Sequence, residues 1–143
     1  MKVLGINHVG LAPKDPAKAR WFFTEALGLS LDGQELVPSQ MTNTVIIKSH
    51  SEGTPGDPEG LFEILENQEG TDGPVSKFIE KKGGGIHHLA ITVDSVEQAI
   101  ARMKELGVTM VDEEPRPGVC QTKIAFVHPK ATGGLLIELV ENP

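Results

Sequence analysis

Two histidines and two glutamates stand among apolar neighbours at matched places in the chain. His8 lies within Ile6-Asn7-His8-Val9-Gly10-Leu11-Ala12, and His88 lies 80 residues on, within Ile86-His87-His88-Leu89-Ala90-Ile91-Thr92. Glu63 lies within Leu61-Phe62-Glu63-Ile64-Leu65-Glu66, and Glu138 lies 75 residues on, within Leu136-Ile137-Glu138-Leu139-Val140-Glu141. All four segments read as strands, in which side chains alternate between faces. Glu63 therefore shares a face with Leu61 and Leu65, and Glu138 with Leu136 and Val140, while Phe62, Ile64, Ile137 and Leu139 line the opposite faces. Both faces are apolar, which implies enclosed carboxylates, and a cation or metal ion is the simplest means of keeping an enclosed carboxylate ionised. Any one of the four, taken alone, reads more readily as a hydrogen-bonded core histidine or a strand-end charge. Matched polar exceptions in both halves are not explained by packing. Two imidazoles and two carboxylates suit a divalent ion, with Co, Mn, Ni, Fe and Zn all acceptable to such donors.

The elements that would position these residues recur as well. Each histidine strand is followed by a helix signal and a Leu-Gly stop, Leu27-Gly28 and then Leu106-Gly107. Asp15 before Pro16 is an N-cap with proline at the first helical position, followed by the apolar stripe Ala19, Phe22, Phe23, Ala26 and Leu27. Ser95 with Gln98 makes the second helix start, followed by Val96, Ala99, Ile100, Met103 and Leu106. Strand-like runs fall at 44–47, 61–65, 123–127 and 135–140, and a short third helix is expected over 74–82. The stretch 52–60, with its prolines and glycines, reads as a surface loop, and Gly83-Gly84-Gly85 as a hinge. The unit is βαβββ, twice: a first module over about residues 1–75 and a second over about 83–143, within one domain of residues 1–143.

Composition narrows the function classes. The 143 residues, 38% of them hydrophobic, suffice for one core, and a formal charge of -7 offers no basic surface to a nucleic-acid backbone. No apolar run approaches the length of a membrane span and no basic, apolar leader opens the chain, which points to a cytoplasmic protein without a membrane partner. A single cysteine, Cys120, excludes an intramolecular disulfide and a cysteine-rich zinc module, and it has no base or cation beside it in sequence to make it a nucleophile. Trp21, Phe22 and Phe23 read as core or interface packing, and their apolar cluster suggests a homodimer.

From Ile6 to the C-terminus the chain resembles the vicinal oxygen chelate superfamily of paired βαβββ metalloproteins, and within it is most similar to the methylmalonyl-CoA epimerase family. The resemblance is carried by Asn7-His8-Val9-Gly10-Leu11-Ala12, Glu63-Ile64-Leu65-Glu66, Gly85-Ile86-His87-His88-Leu89-Ala90, Asp112-Glu113-Glu114-Pro115, His128-Pro129-Lys130 and Gly133-Gly134-Leu135-Leu136-Ile137-Glu138-Leu139. It implies an α+β fold in which the two modules form one curved mixed sheet around a metal site. It also implies that His8, Glu63, His88 and Glu138 ligate the ion, with cobalt the first choice. The activity implied is interconversion of (2R)- and (2S)-methylmalonyl-CoA, an acyl-CoA partner, with Glu138 as one catalytic base. Four protein ligands leave about two octahedral positions, enough for the two oxygens of a β-dicarbonyl, whose C2 proton is then lost to give an enolate.

Inversion needs a second acid or base on the opposite face. Some relatives carry glutamate where Thr44 stands, and threonine cannot replace it as a carboxylate base. The resemblance places Gln40, Thr44, Lys123, His128 and Lys130 near the substrate, with a lysine meeting a CoA phosphate as a point charge. Two segments depart from the family pattern: Pro38-Ser39-Gln40, and Pro117-Gly118-Val119-Cys120-Gln121 before the seventh strand. His87 falls on the face opposite His88, where packing or a hydrogen bond is its expected role. Three other readings stay open: a lactoylglutathione lyase of the glyoxalase kind, an iron extradiol dioxygenase, and a metal-free small-molecule binding protein. Glu63 as a fourth ligand argues against the dioxygenase, and the full ligand set against the metal-free protein.

Overall fold

The computed structural model describes every residue except Asp57. It contains two compact units, one of His8–His87 and one of Met1–Asn7 with His88–Pro143.

In the unit His8–His87, strand β1 (Val3–Ala12) leads into helix α1 (Pro16–Trp21), strands β2 (Leu31–Val37), β3 (Thr42–Lys48) and β4 (Leu61–Asn67), and helix α2 (Pro74–Lys82). The strands run in the order β2-β3-β4-β1, with β1 parallel to β4 and the other neighbours antiparallel. The expected N-cap is present: Asp15 accepts a hydrogen bond from the Lys18 amide at 3.1 Å, satisfying one of the donors left over at a helix start. After Trp21 the helix widens into a π-helical turn, Phe22–Ala26, closed by the Leu27 amide on the Phe22 carbonyl at 2.9 Å. That extra residue per turn shifts the phase of the apolar stripe. Ala19, Phe23 and Leu29 pack on Val45, Ile47, Ile64 and Phe62, whereas Trp21 and Phe22 stay 58% and 48% exposed. Neither belongs to the core of this unit. The opposite face of the same strands is covered at one end by α2, where Val75, Phe78 and Ile79 meet Ala12 and Leu65.

The second unit repeats the pattern. Strand β5 (Gly85–Val93) precedes helix α3 (Val96–Glu105) and strands β6 (Arg116–Pro117), β7 (Lys123–Val127) and β8 (Ile137–Glu141). Residues 3–7 of β1 belong here, tied by Asn7 donating to the Thr92 hydroxyl and by the Lys2 amide donating to Asp94 at 2.7 Å. The order is β1-β5-β8-β7-β6, with β5 parallel to β8 as β1 is to β4. Ser95 caps α3 through the Gln98 amide, and Glu141 adds a hydrogen bond from the Val96 amide at 2.9 Å. Val96, Ala99 and Ile100 of the helix pack on Val93, Ala125, Val127 and Leu139. Each buried Val, Ile or Leu side chain among them contributes about 1.5–3 kcal/mol. Ala90, Ile124 and Val140, with Phe126, line the other face.

The helix over 74–82 and the strand over 123–127 match their expected bounds. The last strand begins at Ile137 rather than Leu135, because the Thr132 hydroxyl donates to the Leu135 carbonyl and accepts from its amide, removing both groups from pairing. The run Gly83-Gly84-Gly85 ends α2 and opens β5 with all three residues at positive φ. In the 52–60 stretch, Asp57 lies outside the described residues, and the other residues carry no helix or strand.

Candidate functional site

Strand register decides which side chains meet. In β1 and β4, Gly10 stands opposite Glu63 and His8 opposite Leu61, so His8 and Glu63 share a face. Their side chains meet there, with Nδ1 of His8 3.0 Å from Oε2 of Glu63. In β5 and β8, Ala90 stands opposite Glu138 just as Gly10 stands opposite Glu63. Nε2 of His88 lies 3.1 Å from Oε2 of Glu138. The repeat read from sequence is thus a repeat in register and in side-chain contact.

All four side chains are enclosed, as the apolar faces of their strands require: His8 is 2% exposed, Glu63 4%, His88 6% and Glu138 6%. Removing a carboxylate from water is costly unless something compensates its charge. An imidazole gives each carboxylate one partner. The donor set also fits a metal ion. Neighbouring ligands on an octahedral ion with bonds of roughly 2.1 Å stand about 3.0 Å apart, the separation each pair holds.

The walls around each pair differ. Phe126, directly across from Glu138 on β7, places its ring edge-to-face with His88, 5.7 Å between centroids and 88° between planes. Arg116 lies over the same ring, 5.1 Å from its centroid. Around Glu63 the equivalent place is held by Ile46 of β3, which is 3% exposed. Phe126 was not singled out by sequence reasoning. Its signal is the matched register of β3 against β4 and β7 against β8, which needs both modules' strands aligned.

The residues expected near the substrate divide into groups. Thr44 is buried, 2% exposed, and sits opposite Leu65 on the face that carries Glu63. Gln40 is half-buried, and its carbonyl accepts from the Thr42 hydroxyl at 2.8 Å. His128 and Lys130 lie in an exposed turn in which Nδ1 of His128 accepts from the Lys130 amide at 3.1 Å. Lys123 sits at the opposite parity to Phe126, on the α3 side of β7, 2.9 Å from Glu97 and 3.6 Å from Glu141. Those two carboxylates raise its pKa above the ordinary lysine value, and Lys123 lowers that of Glu97. His87 packs edge-to-face on Phe78 of α2, with ring centroids 4.8 Å apart, consistent with its expected packing role. Cys120 is exposed at φ +55°, and Gln121 follows at φ +61°.

Comparison with known proteins places this arrangement. A profile of the Glyoxalase/Bleomycin resistance protein/Dioxygenase superfamily matches residues 7–126. The chain is 33% identical over 136 residues to the uncharacterized protein YqjC of Bacillus subtilis, covering 95% of this chain and 91% of that one. It is 32% identical over 135 residues to the mitochondrial methylmalonyl-CoA epimerase of Bos taurus, covering 94% of this chain and 72% of that one. Among solved structures it is similar to a Streptomyces coelicolor methylmalonyl-CoA epimerase variant in complex with 2-nitronate-propionyl-CoA. There the TM-score is 0.87 at 28% identity, covering 99% of this chain and 96% of that one. Paired βαβββ modules, matched His–Glu pairs and these relatives agree: the chain belongs to the Glyoxalase/Bleomycin resistance protein/Dioxygenase superfamily, also called the vicinal oxygen chelate superfamily, and its relatives there include the methylmalonyl-CoA epimerases.

Proposed function

We propose that the protein is a metal-dependent epimerase that interconverts (2R)- and (2S)-methylmalonyl-CoA by removing and returning the C2 proton. The carrying observation is the duplicated buried pair, His8 with Glu63 and His88 with Glu138. In this reading His8, Glu63, His88 and Glu138 would be the residues that hold a divalent ion, cobalt first, with manganese, nickel, zinc or iron as other occupants. Bound there, the ion supplies positive charge to the thioester carbonyl and the carboxylate of the substrate, which makes the proton between them more acidic.

This chain's own groups do the rest. Glu138 accepts the C2 proton from one face of the substrate. Phe126 limits the mobility of the His88 ring through its edge-to-face contact, and Ile46 and Leu65 form an apolar surface next to Glu63. Low water content strengthens every charge interaction made there. Thr44 and Gln40 face the acyl end of the substrate. Lys130, beside His128 in its exposed turn, meets a CoA phosphate. Lys123 is committed to Glu97 and Glu141, so it contributes to that contact only by exchanging those partners. The relatives support an acyl-CoA substrate, since epimerases of this substrate stand among them at about 30% identity over most of the chain.

The reading includes a homodimer and a cytoplasmic location. Trp21 and Phe22 leave apolar area uncovered within their own unit, and among the described residues no helix is long and apolar enough to cross a membrane. The test of the function is stereochemical. A single epimer of methylmalonyl-CoA incubated with cobalt-loaded protein is expected to reach the equilibrium mixture of the two epimers, followed as the change in configuration at C2. Persistence of the starting epimer beyond the uncatalysed rate would remove the proposal.

A further inference from the structure

Of the three acids in Asp112-Glu113-Glu114-Pro115, Glu113 and Glu114 are exposed and Asp112 is half-buried. The two oxygens of Asp112 are divided between neighbours. Oδ2 accepts a hydrogen bond from the Phe126 amide at 2.8 Å, and Oδ1 pairs with Nε of Arg116 at 3.3 Å. The Val111 amide donates to the Phe126 carbonyl at 2.9 Å, so both backbone groups of Phe126 are tied to residues 111–112. One carboxylate thus anchors Phe126 twice: by its backbone and, through the Arg116 guanidinium 5.1 Å from the ring centroid, by its ring.

The local sequence prepares this contact. Arg116 stands between Pro115 and Pro117, and a residue before proline is held extended, as the short strand β6 requires. Register then places Arg116 beside Ile124 beside Val140, two residues along from Phe126 beside Glu138. Alternation puts all five on the face that carries Glu138. A planar guanidinium over an aromatic face is attracted by the negative charge of the ring's π-cloud. In the first module the places equivalent to Arg116, Ile124 and Phe126 are held by Glu35, Thr44 and Ile46, which offer neither a cation nor a ring.

We propose that Asp112 and Arg116 are positioning residues for His88, acting through Phe126; the inference rests on the reading of His88 and Glu138 as metal ligands. An imidazole holds an ion along one direction in its ring plane, so whatever fixes the ring sets the strength of binding. Phe126 meets the His88 ring edge-to-face, with 5.7 Å between centroids and 88° between planes. Arg116 pins the Phe126 ring in turn, and Asp112 pins Arg116. Release of Arg116 frees Phe126 to turn about its side-chain bonds, and His88 with it.

The test is a cobalt titration of the wild type, Asp112→Asn, Arg116→Met and the double variant, reading Kd and the visible absorption of bound cobalt. Asp112→Asn keeps an oxygen for the Phe126 amide and loses the charge that holds Arg116. Arg116→Met keeps an apolar stem and loses the guanidinium. Each single variant is expected to weaken cobalt binding by about tenfold and to change the absorption spectrum. The double variant is expected to lose no more than about threefold beyond either single one, because both act on one ring. Ile100→Val, which trims the core on the α3 side of the sheet, is expected to lower Tm and leave cobalt affinity and spectrum as in the wild type. Melting temperatures verify that each variant is folded, and Arg116, whose side chain is 33% exposed, carries the test by itself should Asp112→Asn not fold.

An unchanged cobalt Kd in either folded single variant overturns the positioning role. So does an equal loss of affinity in Ile100→Val, which would make the effect one of general stability. Full additivity in the double variant overturns it as well, since the two residues would then act separately. A wild type that binds no cobalt overturns the metal-site reading itself, and the positioning role with it.

Discussion

Oε2 of Glu63 lies 3.0 Å from Nδ1 of His8, with both side chains shielded from water by the sheet that carries them. Removing either partner leaves the other enclosed without its counterpart, at a cost of about 1–3 kcal/mol for an orphaned polar group. His8→Ala is expected to weaken cobalt binding by well over about tenfold. Glu63→Gln, which keeps an oxygen donor, is expected to weaken it less. Metal titration followed by elemental analysis of the dialysed proteins checks the order, and equal affinity in all three would contradict it.

Metal binding should also appear as stability. A ligand that binds only the folded chain adds about 2.7 kcal/mol at one hundred times its Kd. Chelation is expected to lower Tm by several degrees and cobalt to restore it, measured by differential scanning calorimetry. A Tm indifferent to both would count against a resident ion.

Gly118 predicts a local failure. A Cβ built there would lie 2.5 Å from Oγ1 of Thr122 and 2.7 Å from Cγ2 of Ile124. The Thr122 hydroxyl is held by the Val119 carbonyl at 2.8 Å, so it does not yield freely. Gly118→Ala is expected to cost about 1–3 kcal/mol, as overpacking does. An unchanged urea midpoint would show that the loop adapts.

The Lys123–Glu97 pair carries a pH signature. Lys123 holds Glu97 below its ordinary value of 4.5, and Glu97 with Glu141 holds Lys123 above its ordinary 10.5. A lowered carboxyl gives stability that is complete above 4.5 and lost as pH falls through the lowered value. A raised lysine gives stability that is complete below 10.5 and lost as pH rises through the raised value. Lys123→Met is therefore expected to lower Tm slightly across the plateau between, with the difference fading in about 1 M salt because both groups are exposed. A salt-independent difference would mean that the lysine acts through packing.

The homodimer is checked by light scattering behind size exclusion, where twice the chain mass of 15.3 kDa is expected. A single-chain mass at micromolar concentration would contradict it.

Much of this was legible in the residues, unevenly. The caps at Asp15 and Ser95 and the helix over 74–82 could be read because proline, aspartate and serine act locally. The His–Glu pairs could be read because the chain repeats, and a buried charge matched in two modules stands out against an apolar background. Strand β2 escaped residue-level assignment: Leu-Asp-Gly-Gln-Glu-Leu-Val carries one β-branched residue, and a register irregularity lies between Leu31 and Gly33. With β2 unplaced, nothing in the sequence could set Glu35 beside Thr44. Phe126 against His88 and the exposure of Trp21 depend likewise on register and on the π-helical turn, both settled by tertiary packing.

The most direct test of the central claim is deuterium uptake at C2 of methylmalonyl-CoA in heavy water, read by mass spectrometry with the protein as purified, after chelation, and after cobalt is restored. A no-enzyme sample sets the background, since the α-proton of the thioester exchanges slowly by itself. The account predicts uptake far above background that is lost on chelation and recovered with cobalt. Uptake at the background rate by cobalt-loaded, folded protein would contradict it.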